Sequence, residues 1–209
     1  MIGNITVNAQ SSIRIAAGKI IYFDPFRIPA AANDADIIFI THEHFDHFSQ
    51  EDIAKVIADN TVFVVPESMK KAALDSGISP DKLITMTPGA KTEICGIPVE
   101  AVPAYNPGKK FHPKNNNWLG YIAAIDGKRI YIAGDTDVTP EAKAVSCDIA
   151  MIPIGGTFTM DFREAAEFIN ELKPETVIPT HYGSVVGNAD DGESFGKLVK
   201  DSVNVVLKL

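Results

Sequence analysis

Three histidines and an aspartate fall within six consecutive residues, in the segment His-Glu-His-Phe-Asp-His at positions 42–47. Neutral imidazole and carboxylate groups are the nitrogen and oxygen donors that Zn2+, Mn2+ and Fe2+ accept. The alternate positions His42 and His44 can converge on one ion, which leaves Asp46 and His47 facing elsewhere. A solvated polar loop that happens to collect these residues is the alternative, but the pattern favours a metal site.

Three further polar residues follow predicted strands or lie in loops beside them. Asp135 and His181 each come after an apolar run, and His112 lies in a long loop at residues 105–117. Binding sites are often built where strands end. The simplest explanation is therefore that these residues converge on one site. His112 also has a simpler interpretation, as an ordinary histidine on the surface of an exposed loop.

The elements that would position these residues are short strands and amphipathic helices. The apolar run at residues 35–40 predicts a buried strand that ends just before the histidine cluster. Ser49, followed by an acidic turn, is typical of a helix start. Asp161 and Glu164 predict a capping box for a helix with one apolar face. The other expected elements are strands at residues 4–8, 12–16, 19–23, 61–65, 82–86, 91–94, 99–102, 118–125, 129–133, 148–153, 177–179 and 203–209, and helices at 67–76 and 194–202.

Length and composition limit the class of protein. The 209 residues fit one domain spanning residues 1–209, large enough to form a core without disulfides or metal. The net charge of −8 disfavours attraction to nucleic acid. No apolar run approaches the roughly 18 residues of a membrane span, and the first residues lack signal-peptide features. We therefore expect a cytoplasmic protein that binds neither nucleic acid nor membrane, and a homo-oligomer is left open.

These motifs resemble the signature of the metallo-β-lactamase superfamily. Its His-x-His-x-Asp-His pattern is matched at every fixed position of residues 42–47. The resemblance extends to Asp24 in Phe-Asp-Pro-Phe, to Asp135 in Gly-Asp-Thr and to His181 in Pro-Thr-His-Tyr-Gly, and it covers essentially the whole chain. It implies an α/β fold, a four-layer αββα sandwich in which two mixed β-sheets are flanked by helices, with a two-metal site along one edge.

The resemblance also implies which residues hold the metals. Carried over by position, the ligands of the first ion would be His42 and His44, those of the second Asp46, His47 and His181, and the bridging ligand Asp135. The superfamily usually supplies a third histidine to the first ion at a position where this chain has Pro-Ala-Tyr-Asn, residues 103–106. His112 is the nearest substitute, a departure that resembles the branch of ascorbate-6-phosphate lactonase and related hydrolases. The two ions would be Zn2+, with Mn2+ or Fe2+ as alternatives.

A two-metal site of this kind implies hydrolysis, because two ions can share a hydroxide and polarise the scissile group. Asp46 could orient that hydroxide as well as bind metal, and Asp24 could fix the tautomer of a ligand histidine. Tyr182 could protonate a leaving group, although an aromatic residue near a strand end more often packs in the core. Neither Cys95 nor Cys147 occupies a ligand position, which argues against lactam hydrolysis.

Three lysines surround His112 on this acidic protein: Lys109, Lys110 and Lys114. They predict a small anionic substrate, with a merely solvated loop as the alternative. We therefore expect a hydrolase that cleaves an ester, lactone or phosphoester bond of a small anionic metabolite. A phosphodiesterase or nuclease acting on nucleotides or RNA, and a catalytically idle binding scaffold, are the alternative functions.

Overall fold

Short β-branched and apolar runs recur through both halves of the sequence, and they form the strands of the computed structural model, which describes residues 1–209. The chain folds into two compact units, residues 1–87 and residues 88–209. Each unit contains one mixed β-sheet with its own helices. The single domain spanning residues 1–209 stays a prediction.

The sheet of the first unit has six strands that lie in chain order. They are β1 (Ile5–Val7), β2 (Ile13–Ala17), β3 (Lys19–Phe23), β4 (Ala35–Phe39), β5 (Ile57–Pro66) and β6 (Leu83–Met86). The first three pair antiparallel, and the pairing is parallel from β3 to β6. The helices are α1 (Gln50–Val56) and α2 (Lys70–Asp75), and one apolar cluster packs both helices against this sheet.

Asp52 in α1 connects that helix to the segment that follows β3. Its two carboxylate oxygens accept the backbone N–H groups of Arg27 and Ile28, each at 2.9 Å, and the Lys55 ammonium group donates to it at 2.9 Å. Burial alone would raise the pKa of Asp52, but these donors outweigh burial and hold the pKa below its ordinary value. The carboxylate therefore fixes the chain between Asp24 and α1.

We expect Asp52→Asn to lower the free energy of unfolding by about 2 kcal/mol, because an amide cannot accept all the hydrogen bonds that the buried carboxylate accepts. Since the folded-state pKa is depressed, this contribution is present above the ordinary aspartate pKa and is lost as the pH falls through the folded-state pKa. Urea unfolding at pH 7 and at pH 3 measures both effects. The exposed Asp59→Asn is the control, and an equal loss in the two variants would contradict this role.

The second unit contains a seven-stranded sheet in the order β13-β12-β11-β10-β9-β8-β7. Its strands are β7 (Lys91–Ile94), β8 (Ile97–Pro103), β9 (Leu119–Ile125), β10 (Lys128–Ile132), β11 (Ile149–Pro153), β12 (Thr176–Thr180) and β13 (Asn204–Val205). Pairing is antiparallel from β7 to β10 and parallel from β10 to β13. The strands β11 and β12 are buried at every position, which agrees with the entirely apolar sequence of β11 and with the apolar centre of β12 between its two terminal threonines.

Three helices complete this unit: α3 (Pro140–Lys143), α4 (Phe162–Leu172) and α5 (Asp191–Leu198). The capping box predicted at Asp161 is confirmed, with both reciprocal hydrogen bonds present. The strand predicted at residues 203–209 is reduced to the two residues of β13, and the short helix α3 was not predicted. No helix of the structure is both long enough and apolar enough to cross a membrane.

In both units the parallel strands end just before the predicted functional residues. Asp24 follows β3 directly, and the cluster at residues 42–47 begins three residues after β4. Asp135 comes three residues after β10, and His181 comes directly after β12. Because the carboxyl ends of parallel strands lie at the same edge of a sheet, each unit gathers its own part of the predicted site at one edge.

Candidate metal centre

The cluster at residues 42–47 forms a tight turn that brings its side chains together. The backbone N–H groups of His47 and Phe48 both donate to the carbonyl of His44, at 2.9 and 2.8 Å. This turn places Nε2 of His42 3.1 Å from Nδ1 of His44, and Nε2 of His47 3.7 Å from a carboxylate oxygen of Asp46. The ring nitrogens and the carboxylate that the sequence assigned to metal binding therefore converge within this unit.

Hydrogen bonds between Asp24 and Thr41 hold this turn in place. Thr41 was not singled out from the sequence. One Asp24 oxygen accepts the Thr41 backbone N–H at 2.7 Å, and the other accepts the Thr41 hydroxyl at 2.6 Å. The second oxygen also lies 2.7 Å from Nδ1 of His47. All three residues are buried, and Asp24 has a left-handed backbone with φ of 46°. Burial raises the pKa of the Asp24 carboxyl group, and His47 and Thr41 only partly offset that rise.

One arrangement of protons satisfies these contacts. If the Thr41 hydroxyl donates to Asp24, its oxygen accepts the Nδ1–H of His42 at 3.0 Å, while His47 donates its own Nδ1–H to Asp24. Both rings then carry a lone pair on Nε2, the tautomer that a metal requires. Thr41 could have been noticed in the sequence as the polar residue between the apolar Ile40 and the first histidine.

The second unit gathers the other three predicted ligands around one oxygen atom. Oδ2 of Asp135 lies 3.3 Å from Nε2 of His112 and 3.2 Å from Nε2 of His181. His112 is only 1% exposed, so the interpretation of this residue as a surface histidine is wrong. Its ring packs edge-on against Trp118, with 5.5 Å between the ring centroids. Its role as a ligand stays a prediction.

The loop at residues 105–117 is held to the rest of this unit by two of the three lysines predicted to bind substrate. Lys109 donates to the Asp137 carboxylate and to the Thr159 carbonyl, both at 2.7 Å. Lys114 donates to Glu141 at 2.7 Å and lies over the Tyr105 ring. Lys110 is exposed and has no ionic partner. The positive charge available to an anionic substrate is therefore concentrated at Lys110.

Tyr182 lies in the core of the second unit and not on its surface. It is 2% exposed, and burial raises the pKa of its hydroxyl group. Its ring lies against Gly192 of α5 so closely that a Cβ atom at position 192 would fall 2.4 Å from the tyrosine oxygen. This contact favours the packing interpretation, and the proton-donor role of Tyr182 stays a prediction.

Gly155, which follows β11, is a second residue that the sequence analysis missed. A Cβ atom at this position would lie 2.2 Å from the backbone carbonyl oxygen of His181. His181 itself has a left-handed φ of 58°. The Gly-Gly pair at residues 155–156 was the available signal, because paired glycines often mark a close approach of two backbone segments.

We expect Gly155→Ala to lower the free energy of unfolding by about 1–3 kcal/mol and to weaken metal binding, since the methyl group must displace the backbone of His181. Urea unfolding and metal titration measure the two effects. Gly196→Ala is the matched control, because its Cβ atom would meet only Val205 at an ordinary 3.8 Å. If Gly155→Ala unfolds and binds metal like the wild type, this close contact does not position His181.

The donor atoms fit a divalent ion. In a tetrahedral zinc site, two nitrogen or oxygen ligands at 2.0–2.1 Å from the ion lie about 3.3 Å from each other. The His42–His44 pair of the first unit, at 3.1 Å, and the two pairs of the second, at 3.3 and 3.2 Å, match this separation, whereas the His47–Asp46 pair is longer, at 3.7 Å. All these residues except His44 are buried, and buried titratable groups of this kind are paired or bind metal. Imidazole and carboxylate suit zinc, manganese and iron alike.

Comparison with known proteins agrees with this chemistry. A family model described as a β-lactamase superfamily domain matches residues 4–181. A UPF0173 metal-dependent hydrolase from Pyrococcus abyssi is 35% identical over 212 residues, covering 95% of this chain and 92% of that protein. The chain therefore belongs to the metallo-β-lactamase superfamily, among its UPF0173 metal-dependent hydrolases.

Solved structures share this fold. A protein from Parabacteroides distasonis, provisionally described as a metal-dependent hydrolase, is 32% identical with a TM-score of 0.81, over 98% of this chain and 92% of that one. A Thermotoga maritima protein, provisionally described as a Zn-dependent hydrolase of the metallo-β-lactamase superfamily, is 20% identical with a TM-score of 0.65, over 97% and 96% of the two chains. The predicted α/β fold with two mixed sheets flanked by helices is confirmed.

Proposed function

We propose that this protein binds two divalent metal ions per chain and uses them to hydrolyse an ester, lactone or phosphoester bond of a small anionic molecule. The observation that carries this proposal is the position of Asp135. One of its oxygens lies beside His112, assigned to the first ion, and equally close to His181, assigned to the second. A carboxylate between ligands of two different ions is suited to bridge them.

In this proposal the first ion would be bound by His42, His44 and His112, and the second by Asp46, His47 and His181. Asp135 would be shared between the two ions. Divalent ions held in this way would act as Lewis acids and make water a nucleophile at neutral pH. Zinc is the proposed metal, with manganese or iron as alternatives. The similarity of the His112 position to the lactonase-like branch supports a lactone or ester as substrate.

The remaining residues have roles in orientation and binding. Asp24 would accept a hydrogen bond from Nδ1–H of His47, which favours the tautomer of that ring whose Nε2 carries no proton. Asp46 has a second carboxylate oxygen with which to orient the attacking water. The exposed ammonium group of Lys110 is available to an anionic group of the substrate.

Hydrolysis assays on metal-stripped and reloaded protein test this proposal. The purified chain is treated with a chelator, reloaded with zinc or manganese, and assayed against a lactone, a p-nitrophenyl ester, a phosphomonoester and a phosphodiester. We expect turnover within one of the first three classes, loss on chelation and recovery on reloading. Turnover of the phosphodiester alone would favour the phosphodiesterase alternative, and no turnover by folded, loaded protein would favour an idle scaffold.

A further inference from the structure

The loop that carries His112 has buried ends and an exposed middle. Asn106 is 2% exposed and His112 is 1% exposed, whereas residues 107, 108, 110 and 111 between them are exposed. The backbone N–H of Asn106 donates to the carbonyl of His112 at 2.9 Å, so this hydrogen bond joins the two buried ends. An exposed loop loses much conformational entropy when it is ordered. The position of His112 therefore depends on what holds Asn106 in place.

Asn106 is held by Asp137, which lies two residues beyond Asp135 in the sequence. The amide nitrogen Nδ2 of Asn106 donates to Oδ1 of Asp137 at 3.2 Å and also to the carbonyl of Phe158. The backbone N–H of Asp137 donates in turn to the carbonyl of Tyr105 at 3.1 Å. The start of the loop is thus attached to the segment that carries Asp135, through both the side chain and the backbone of Asp137.

Lys109 binds the same carboxylate from the middle of the loop. Its ammonium group donates to Oδ1 of Asp137 and to the carbonyl of Thr159, both at 2.7 Å. The side chains of Lys109 and Asp137 are only 31% and 14% exposed, so salt screens this pair less than a pair on the open surface. One oxygen of Asp137 therefore receives donors from two positions of the loop. Asn106, Lys109 and Asp137 together are called the loop anchor below.

The backbone carbonyls that complete these contacts lie in a tight turn at residues 155–161. An antiparallel bridge between the first and last residues of this turn closes it. Its first residue, Gly155, lies so close to His181 that a Cβ atom there would fall 2.2 Å from the His181 carbonyl oxygen. One turn thus contacts both the loop of His112 and the backbone of His181, which are the two histidines beside Asp135.

We propose that Asp137 is a positioning residue, which holds the loop anchor together and so sets the position of His112 for metal binding. This inference rests on the proposed function, in which His112 is a metal ligand. A ligand that is held in place before the ion arrives loses less conformational entropy on binding, so metal affinity should depend on the anchor. The inference also separates Lys109, which holds the loop, from Lys110, which is left for a substrate.

Zinc titration of metal-free protein, followed by calorimetry and by Trp118 emission, tests this role without a substrate. The Trp118 ring lies 5.5 Å from that of His112. We expect Asp137→Ala to weaken zinc binding by about tenfold or more, the usual effect of losing a residue that orients a ligand. Asp137→Asn keeps an oxygen for both donors and should recover part of this loss. Lys109→Met should also weaken zinc binding, whereas Lys110→Met, at the next residue, should bind zinc like the wild type.

Hydrogen exchange of the metal-free protein tests the step from the anchor to the loop. The Asn106 amide, which donates to the carbonyl of His112, should exchange faster in Asp137→Ala than in the wild type, while the amides of β11 stay protected. Glu100→Ala is the control for a general loss of stability. Glu100 lies on β8 of the same unit and likewise binds two cations, Lys91 and Arg129, so its loss should leave both measurements unchanged.

The outcomes separate this inference from the proposed function. A selective loss of zinc affinity in folded Asp137→Ala supports the inference even if no substrate is hydrolysed. Wild-type zinc affinity in that variant overturns it and leaves the proposed function standing. Equal losses in Asp137→Ala and Glu100→Ala would make the anchor a contribution to stability alone and also overturn it. A wild type that binds no zinc overturns both.

Discussion

Asp135→Ala is expected to lower kcat/KM by roughly 10³-fold or more while the chain stays folded. Asp135 is the carboxylate next to both His112 and His181, so in the proposed arrangement its removal would leave the two metal positions without their shared anion. Positive charges held close together then repel each other without compensation, and metal occupancy should fall along with turnover. We expect folding to be independent of the ions, because a chain of this size can form a core without them.

Circular dichroism and metal analysis distinguish this loss from unfolding. The variant should keep the wild-type far-ultraviolet spectrum and lose bound metal. The matched control is Asp201→Ala, which removes an exposed carboxylate from the same unit and should retain full activity. Wild-type turnover in folded Asp135→Ala would contradict the bridging role.

His112→Ala is expected to remove about one metal ion per chain and to lower kcat/KM by about 10²-fold or more. The reason is that, in the proposed arrangement, His112 would complete the ligand set of the first ion, at a position where the usual third histidine is missing. Trp118 gives an independent readout, because it is the only tryptophan and its ring lies 5.5 Å from that of His112. Zinc added to stripped wild-type protein should change the Trp118 emission, and this change should be lost in the variant.

The neighbouring lysine provides the comparison for this variant. Lys110→Ala should raise KM for an anionic substrate and leave kcat, metal content and the Trp118 response unchanged, because this side chain has no partner within the protein. If His112→Ala retains two ions and the Trp118 response, His112 is a buried histidine without a metal role.

Local sequence patterns predicted most of the elements and most of the candidate site. The six-residue cluster after β4 and the capping box at Asp161 are short-range features, so the spacing of their own residues was sufficient. His112 was also found in the sequence, because few other histidines remained. Its burial could not be read from its loop, where lysines and asparagines suggest exposure.

Long-range contacts explain what the sequence did not show. Thr41 and Asp24 are hydrogen-bonded although 17 positions separate them in the sequence, and Lys109 and Asp137 although 28 positions separate them. Neither pairing therefore has a local sequence signature. Lys109 and Lys114 appeared as part of a cationic cluster because their carboxylate partners lie elsewhere in the chain. The strand expected at residues 203–209 has the right composition, but only Asn204 and Val205 find a place beside β12.

Metal stoichiometry is the most direct test of the central claim, that seven side chains hold two ions with Asp135 shared between them. Stripped protein is reconstituted with zinc and, separately, with manganese, freed of excess metal and analysed by inductively coupled plasma mass spectrometry beside a protein assay. We predict about two ions per wild-type chain. Fewer than one ion per chain, in a sample that circular dichroism shows to be folded, would contradict the two-metal site.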